Sequence, residues 1–375
     1  MNLQVLKDYM DQAIPAYHMT GVDCIIYQDH KEIFRHTAGY GNMETKTPIQ
    51  PNSLFNIYSA TKVITCVAAL QLLERGKFLL DEPLHKYLPE FENMMVKYGT
   101  FSIVPAKNPI RIFDLFAMTS GISYEKDSPS FAQLVAEKGS NFNGRDFMAA
   151  HAKEPLLHEP GEGWTYGFSH DVLSVLIEVI EDMTFEDYLK KNIFEPLGIK
   201  NASFYLTEEN KALITPQYGY NQKGQIERYP DDCLGRAGDH HESGGGGLIM
   251  SAEDYILFAD ALACGGVGAT GERIISNRTL DLMATNHLKG KVLEDYYKLG
   301  VSPGNGFGLG VGVVIDSIEA KTLTPNGAFT WGGLGGVQNL IDRENRLSFY
   351  ISQHLIASPK HLIGRPMLSI LYANL

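Results

Sequence analysis

Leu3, Leu6, Met10 and Ala13 recur at helical spacing, so the chain opens on an amphipathic helix that should stop near Pro15. The pattern then alternates. Residues 22–27 and 32–36, parted by Asp29-His30-Lys31, predict a β-hairpin. From 59 to 75 the apolar positions Val63, Ile64, Val67, Ala68, Leu70, Leu72 and Leu73 cover nearly the whole circumference of a helix, which marks it as buried; Arg75-Gly76-Lys77 ends it. Residues 78–195 carry mostly helical signals joined by polar loops. Residues 171–181 form one helix, and Thr184-Phe185-Glu186-Asp187 opens another that Pro196 and Gly198 close. Ser251-Ala252-Glu253-Asp254 opens a helix that stops at Gly265-Gly266. After that the period changes: 306–315, 328–341 and 347–354 read as strands, the last pair joined at 342–345, and a closing helix covers about 361–372.

Strand signals at both ends with helices between them predict one sheet built from residues 1–77 and 196–375, with residues 78–195 as an all-helical lobe. The fold class is α+β. Composition agrees, since 44% apolar residues exclude disorder for most of the chain and 375 residues exceed what a single core usually holds. A formal charge of −12 argues against nucleic acid or an anionic membrane as partner. The longest apolar run, 63–73, is interrupted by Thr65 and Gln71 and is too short to span a bilayer. Cys24, Cys66, Cys233 and Cys264 are too far apart for a zinc knuckle or a CxxC pair, and Cys66 and Cys264 read as buried free thiols. The first residues lack the basic start and continuous apolar stretch of a secretory peptide, so a cytoplasmic location is expected.

Candidate chemistry begins at Ser59-Ala60-Thr61-Lys62. Positions i and i+3 at a helix start share one face, about 4.5 Å apart along the axis. Ser59 could be a plain N-cap. Lys62 fits a bland reading poorly, because a cation in the first turn of a buried helix opposes the macrodipole. Burial and the positive helix end should lower its pKa, leaving a neutral amine as base beside a hydroxyl nucleophile. Ser123-Tyr124-Glu125-Lys126 has the same spacing but lies in a polar loop with no buried helix behind it. Tyr166, in a Gly-rich loop, is either a packed ring or a group that moves the serine proton to the leaving oxygen. His170 is equally ambiguous, and Asp171 reads as an N-cap. The glycines of Trp331-Gly332-Gly333-Leu334-Gly335-Gly336 mark a strand edge that a substrate can approach closely. Gly244 to Gly247 lacks the Lys-Ser/Thr of a phosphate loop, His240-His241-Glu242 reads as a polar loop rather than a metal site, and no G-x-S-x-G elbow is present.

In this order, the segments resemble the serine β-lactamase and penicillin-binding-protein superfamily, and most of all its class C β-lactamase-related esterases. Like segments recur along nearly the whole chain: Leu80-Asp81-Glu82-Pro83, Thr119-Ser120-Gly121-Ile122, Glu195-Pro196-Leu197-Gly198, Gly244 to Leu248 and Gly306-Phe307-Gly308-Leu309-Gly310. The resemblance implies a mostly antiparallel sheet flanked by helices, with the active site where the two parts meet. It implies Ser59 as acyl-accepting nucleophile, Lys62 as its partner base and Tyr166 as the tyrosine of the Tyr-x-Asn motif. It also implies substrate contacts from Trp331, Gly332, Gly333, Phe168 and His170, and an oxyanion hole from the Leu334 and Ser59 N–H groups. Phe168 stands where that motif has asparagine, and Trp331 where a Lys-Thr-Gly motif has lysine. Both changes favour uncharged esters of short or medium acyl chains over β-lactams or peptidoglycan stems.

The expectation is a cofactor-independent, metal-free serine hydrolase acting on a small-molecule ester or amide through an acyl-enzyme. The alternatives are a β-lactamase or D-amino-acid peptide hydrolase with the same machinery, an acyltransferase, or a binding protein without catalysis.

Overall fold

A computed structural model describes residues 2–99, 102–125, 127–230 and 238–375. Helix α1 (Gln4–Ala16) buries Leu6, Met10, Ala13 and Ile14, and Pro15 falls in its last turn. Strands β1 (Val22–Gln28) and β2 (Lys31–Ala38) form the expected hairpin. Asp29 and His30 at its tip both have positive φ, +52° and +64°, giving a two-residue turn whose twist suits an antiparallel pair.

Helix α2 (Thr61–Glu74) buries twelve of its fourteen residues. Helix α3 (Ser169–Glu181) lies against it, and α4 (Ala252–Ala263) opens on Ser251, whose hydroxyl accepts the Asp254 N–H. Strands β3 (Asn305–Phe307), β4 (Gly312–Val314), β5 (Phe329–Gly332), β6 (Gln338–Asp342) and β7 (Leu347–Gln353) complete a seven-stranded antiparallel sheet ordered β3-β4-β5-β6-β7-β1-β2. Helix α5 (Gly364–Asn374) closes the chain.

The period of two along β1 and β7 explains the layering. Cys24, Ile26, Phe349 and Ile351 point to one face and join Leu6, Met10, Met367 and Leu371 of α1 and α5. Ile25 and Tyr350 point to the other, where they meet α2 and α4. Apolar residues on both faces of a strand thus reflect helices on both faces of the sheet.

A small second sheet, Leu54–Asn56 with Ile249–Ser251 and Ala202–Ser203, carries the chain into the turn before α2. Residues 78–195 are not all-helical as expected. They include helices Ile112–Phe116, Pro129–Lys138 and Gly144–His151, but also a hairpin of Met95–Tyr98 with Ser102–Pro105. That hairpin lies largely at the surface, so it leaves no alternating apolar signal. Helices Asn277–Met283 and Gly290–Tyr297 occupy a stretch where none was expected. Cys24, Cys66 and Cys264 are buried free thiols; Cys233 and Lys126 lie outside the described residues. No helix among the described residues is long and apolar enough to cross a membrane.

Candidate active site

Ser59 sits in a single 3-10 turn, Tyr58–Ala60, that leads directly into α2. It is not a cap. The α2 N-cap position is Ala60, which makes no side-chain bond. Tyr58 has φ +47°, a costly conformation for a bulky residue, and its hydroxyl is fixed by Gln217 Oε1 at 2.5 Å. The turn aims Ser59 at Lys62, whose Nζ donates to Ser59 Oγ at 3.3 Å.

Lys62 is fully buried and also donates to the Gly245 carbonyl. The four-glycine run is therefore a strap across the start of α2: Thr65 donates to the Gly244 carbonyl at 2.7 Å, and the Leu248 N–H reaches Thr61 Oγ1 at 3.3 Å. Its second glycine is demanded by close approach, since a Cβ on Gly245 would lie 2.1 Å from Asp171 Oδ2.

Two phenols enclose the same amine, with Lys62 Nζ 4.9 Å from the Tyr166 ring centre and 5.5 Å from that of Tyr124. Burial by itself disfavours charge on Lys62, but the Tyr124 and Tyr166 phenols and the Asp171 carboxylate outweigh it, and its pKa is raised. The expected fall is thus overturned. Burial was only half of the environment, because acceptors converge on the amine. The complementary change appears on Tyr166. Its burial would raise the phenol, yet the Lys62 charge and hydrogen bonds from Ser59, Trp331 and Lys62 lower it below an ordinary tyrosine. Tyr124 moves the other way, raised chiefly by burial.

The third wall is the edge of β5. The Trp331 indole N–H lies 3.3 Å from Tyr166 Oη, and its backbone N–H is held by Asn339 Oδ1 at 2.9 Å. Gly332 pairs with Gln338, and Gly333 donates to the Val337 carbonyl at 2.8 Å. A Cβ on Gly333 would stand 2.3 Å from the Ile57 carbonyl, so glycine here lets the strand edge press against the turn that carries Ser59. Neither the Ser59 nor the Leu334 N–H has a backbone carbonyl partner among the described residues. Trp164, Tyr296 and Phe307 extend the aromatic wall beside Tyr166 and Trp331.

Two expected substrate contacts are not placed for that role. His170 is fully buried, with its ring 3.6 Å from Cys66 Sγ and 3.3 Å from the Phe116 carbonyl; burial and the Lys62 charge push its pKa down to about 3. Phe168 is also buried and serves as a seat for the Tyr124 ring, 4.7 Å away. Asp171 is no N-cap either, since α3 begins two residues earlier at Ser169. It accepts Ser243 Oγ at 2.5 Å. His241 and Glu242 belong to the packed interior: the His241 ring lies 4.7 Å from Phe147, and Glu242 accepts the Glu186 N–H at 2.6 Å.

Tyr124 is the main member of the cluster that sequence reasoning missed. It sits in the polar loop Ser123-Tyr124-Glu125, which repeats the spacing of the Ser59 motif without a buried helix behind it, and only the fold brings Tyr124 over Lys62. Among the described residues the one close Asp/His/Cys trio, Asp29, His30 and Cys264, includes none of these groups.

A family model described as Beta-lactamase matches residues 4–355. Acyltransferase calJ of Penicillium decumbens is 26% identical over 365 residues, covering 90% of this chain and 85% of that protein. Esterase EstB of Burkholderia gladioli is 26% identical over 358 residues, covering 92% and 88%. Among solved structures, EstCE1, a hydrolase with promiscuous acyltransferase activity, has the same fold: TM-score 0.82, 23% identity, 98% of both chains covered. The fold is accordingly that of the β-lactamases and transpeptidases, an antiparallel sheet flanked by helices. The chain belongs to the beta-lactamase family, and it is an enzyme, a serine hydrolase.

Proposed function

We propose that the chain cleaves carboxylic esters through an acyl-enzyme on Ser59. The observation that carries this reading is the buried Lys62 ammonium, bonded to Ser59 and set against a phenol whose pKa it lowers. In its deprotonated form Tyr166 takes the Ser59 proton, and Oγ attacks the ester carbonyl carbon. The tetrahedral oxyanion points at the Ser59 and Leu334 N–H groups, each such donor being worth about 3–4 kcal/mol in the barrier. The Oγ–carbon bond is made in that attack; on collapse of the tetrahedral species the carbonyl re-forms, the substrate's acyl–oxygen bond breaks, and Tyr166 returns the proton to the departing alkoxide. Tyr166, again a phenolate, then takes a proton from water, whose oxygen attacks the acyl carbon; the acyl–Oγ bond breaks, the proton passes to Ser59 Oγ, and the acid leaves. Lys62 stays charged throughout, as the counter-ion of the phenolate.

The cleft lies where residues 1–77 and 196–375, which supply Ser59, Lys62 and Trp331, meet the 78–195 segment, which supplies Tyr124 and Tyr166. Trp331 supports esters over β-lactams or peptides, because its indole replaces a cation that would bind a carboxylate next to the scissile bond. Similarity to Esterase EstB points the same way. A Ser59→Ala protein should lose p-nitrophenyl butyrate turnover; full retention would refute the proposal, and nitrocefin turnover far above ester turnover would favour the β-lactamase alternative.

A second reading, acyl transfer, is favoured by the similarity to acyltransferase calJ. It uses the same acyl-enzyme with an alcohol in place of water. Product partitioning on addition of an alcohol acceptor separates the two.

A further inference from the structure

We infer that the substrate carries a carboxylate in the part that lies away from the scissile carbonyl; the inference rests on the ester-cleaving reading above. A groove of about 550 Å³ runs from Tyr166 past Trp164 to the helix Gly290–Tyr297, a size that suits a small organic ligand. Leu157 and Leu299 line it and are 49% and 53% exposed, so apolar surface stands open along a channel that begins at a proposed catalytic group.

The charges at its outer end are unequal. Asp295 is already engaged, by Lys298 Nζ at 2.6 Å and by the Trp164 backbone N–H. Lys291 is exposed and has no salt-bridge contact within 4.0 Å among the described residues, although its charge also acts on Asp295. Lys291 and Lys298 together outnumber the one carboxylate of the lining, Asp295, so the outer end of a groove that starts at Tyr166 is net positive in a chain of net charge −12. Next to the scissile bond, Trp331 offers no cation. An anion is therefore recognised further out, across a span of apolar wall. The chemistry that fits is an ester with an apolar spacer ending in a carboxylate.

The test compares kcat/KM for p-nitrophenyl butyrate, the mono-p-nitrophenyl ester of adipic acid (carboxylate on the acyl side) and 4-carboxyphenyl butyrate against phenyl butyrate (carboxylate on the alcohol side). One anionic ester should exceed its uncharged counterpart by roughly fivefold. That ratio should fall towards one in Lys291→Gln and in about 0.5 M salt, where screening is short-ranged. Ratios near one in the wild type, or unchanged by Lys291→Gln, overturn the inference while leaving the esterase reading standing. If no ester is turned over, that reading fails. The groove is then decided by adipate quenching of Trp164 and Trp331, the only tryptophans in the chain: quenching lost in Lys291→Gln sustains the anion site, and no quenching ends it.

Discussion

The Trp331 indole N–H meets the Tyr166 phenol oxygen at 3.3 Å, joining the edge of β5 to the loop before α3 at the atom proposed to carry the proton. A donor to a phenolate stabilises the charged form. Trp331→Phe keeps an aromatic ring and removes that donor, so the Tyr166 pKa should rise. Turnover of p-nitrophenyl butyrate near neutral pH should fall by about tenfold, the scale of one hydrogen bond to a charged group. A pH–rate profile checks this: the ascending limb should move to higher pH.

The wild-type profile has a sign of its own. A base must be deprotonated, and the Tyr166 phenol is lowered from its ordinary value, so activity should climb with pH along a limb centred below 10. Lys62 is raised rather than lowered, so no falling limb from loss of its charge should appear within the ordinary lysine range. His170, held down at about 3, stays neutral across the working range and contributes no limb near the ordinary imidazole value. kcat/KM measured against pH, with a buffer-independent ester, reads all three statements at once.

Gly245→Ala should be severe for a residue that touches no substrate. Its Cβ would collide with Asp171 Oδ2 at 2.1 Å, forcing apart the strap whose carbonyl accepts from Lys62. The expected result is a loss of at least about 2 kcal/mol in stability, the usual scale of overpacking at a buried site, together with most of the activity. Thermal denaturation and ester turnover of the same preparation measure both.

Glu178 gives a stability prediction away from the chemistry. Burial and the neighbouring Glu242 push its pKa up to about 7. A carboxyl raised in the folded state contributes stability that is complete below its unfolded value and is lost as pH rises towards the folded one. Glu178→Gln should therefore raise the melting temperature by a few degrees at pH 8 and by little or nothing at pH 4. Melting curves of both proteins at the two pH values decide it.

Much of the frame was legible because it rests on local rules. The hairpin turn at Asp29-His30, the all-round apolar character of α2 and the Ser251 cap each leave a signature within a dozen residues. Ser59 and Lys62 were visible for the same reason, being one helical turn apart. What could not be read was environment made by distant chain. The charge state of Lys62 depends on Tyr124, Tyr166, Asp171 and the Gly245 carbonyl, which the fold gathers from segments far apart from it in sequence. His170 illustrates the reverse: its place beside active-site residues in sequence says nothing of its ring, which the helix turns inward onto Cys66.

The most direct test of the acyl-enzyme is to quench p-nitrophenyl butyrate turnover with acid during the pre-steady-state burst, digest the protein and locate the acyl group by mass spectrometry. The account predicts one butyryl group, on the peptide that contains Ser59, and none in Ser59→Ala. A burst with the acyl group on any other residue, or steady turnover with no trapped acyl group at all, would contradict it.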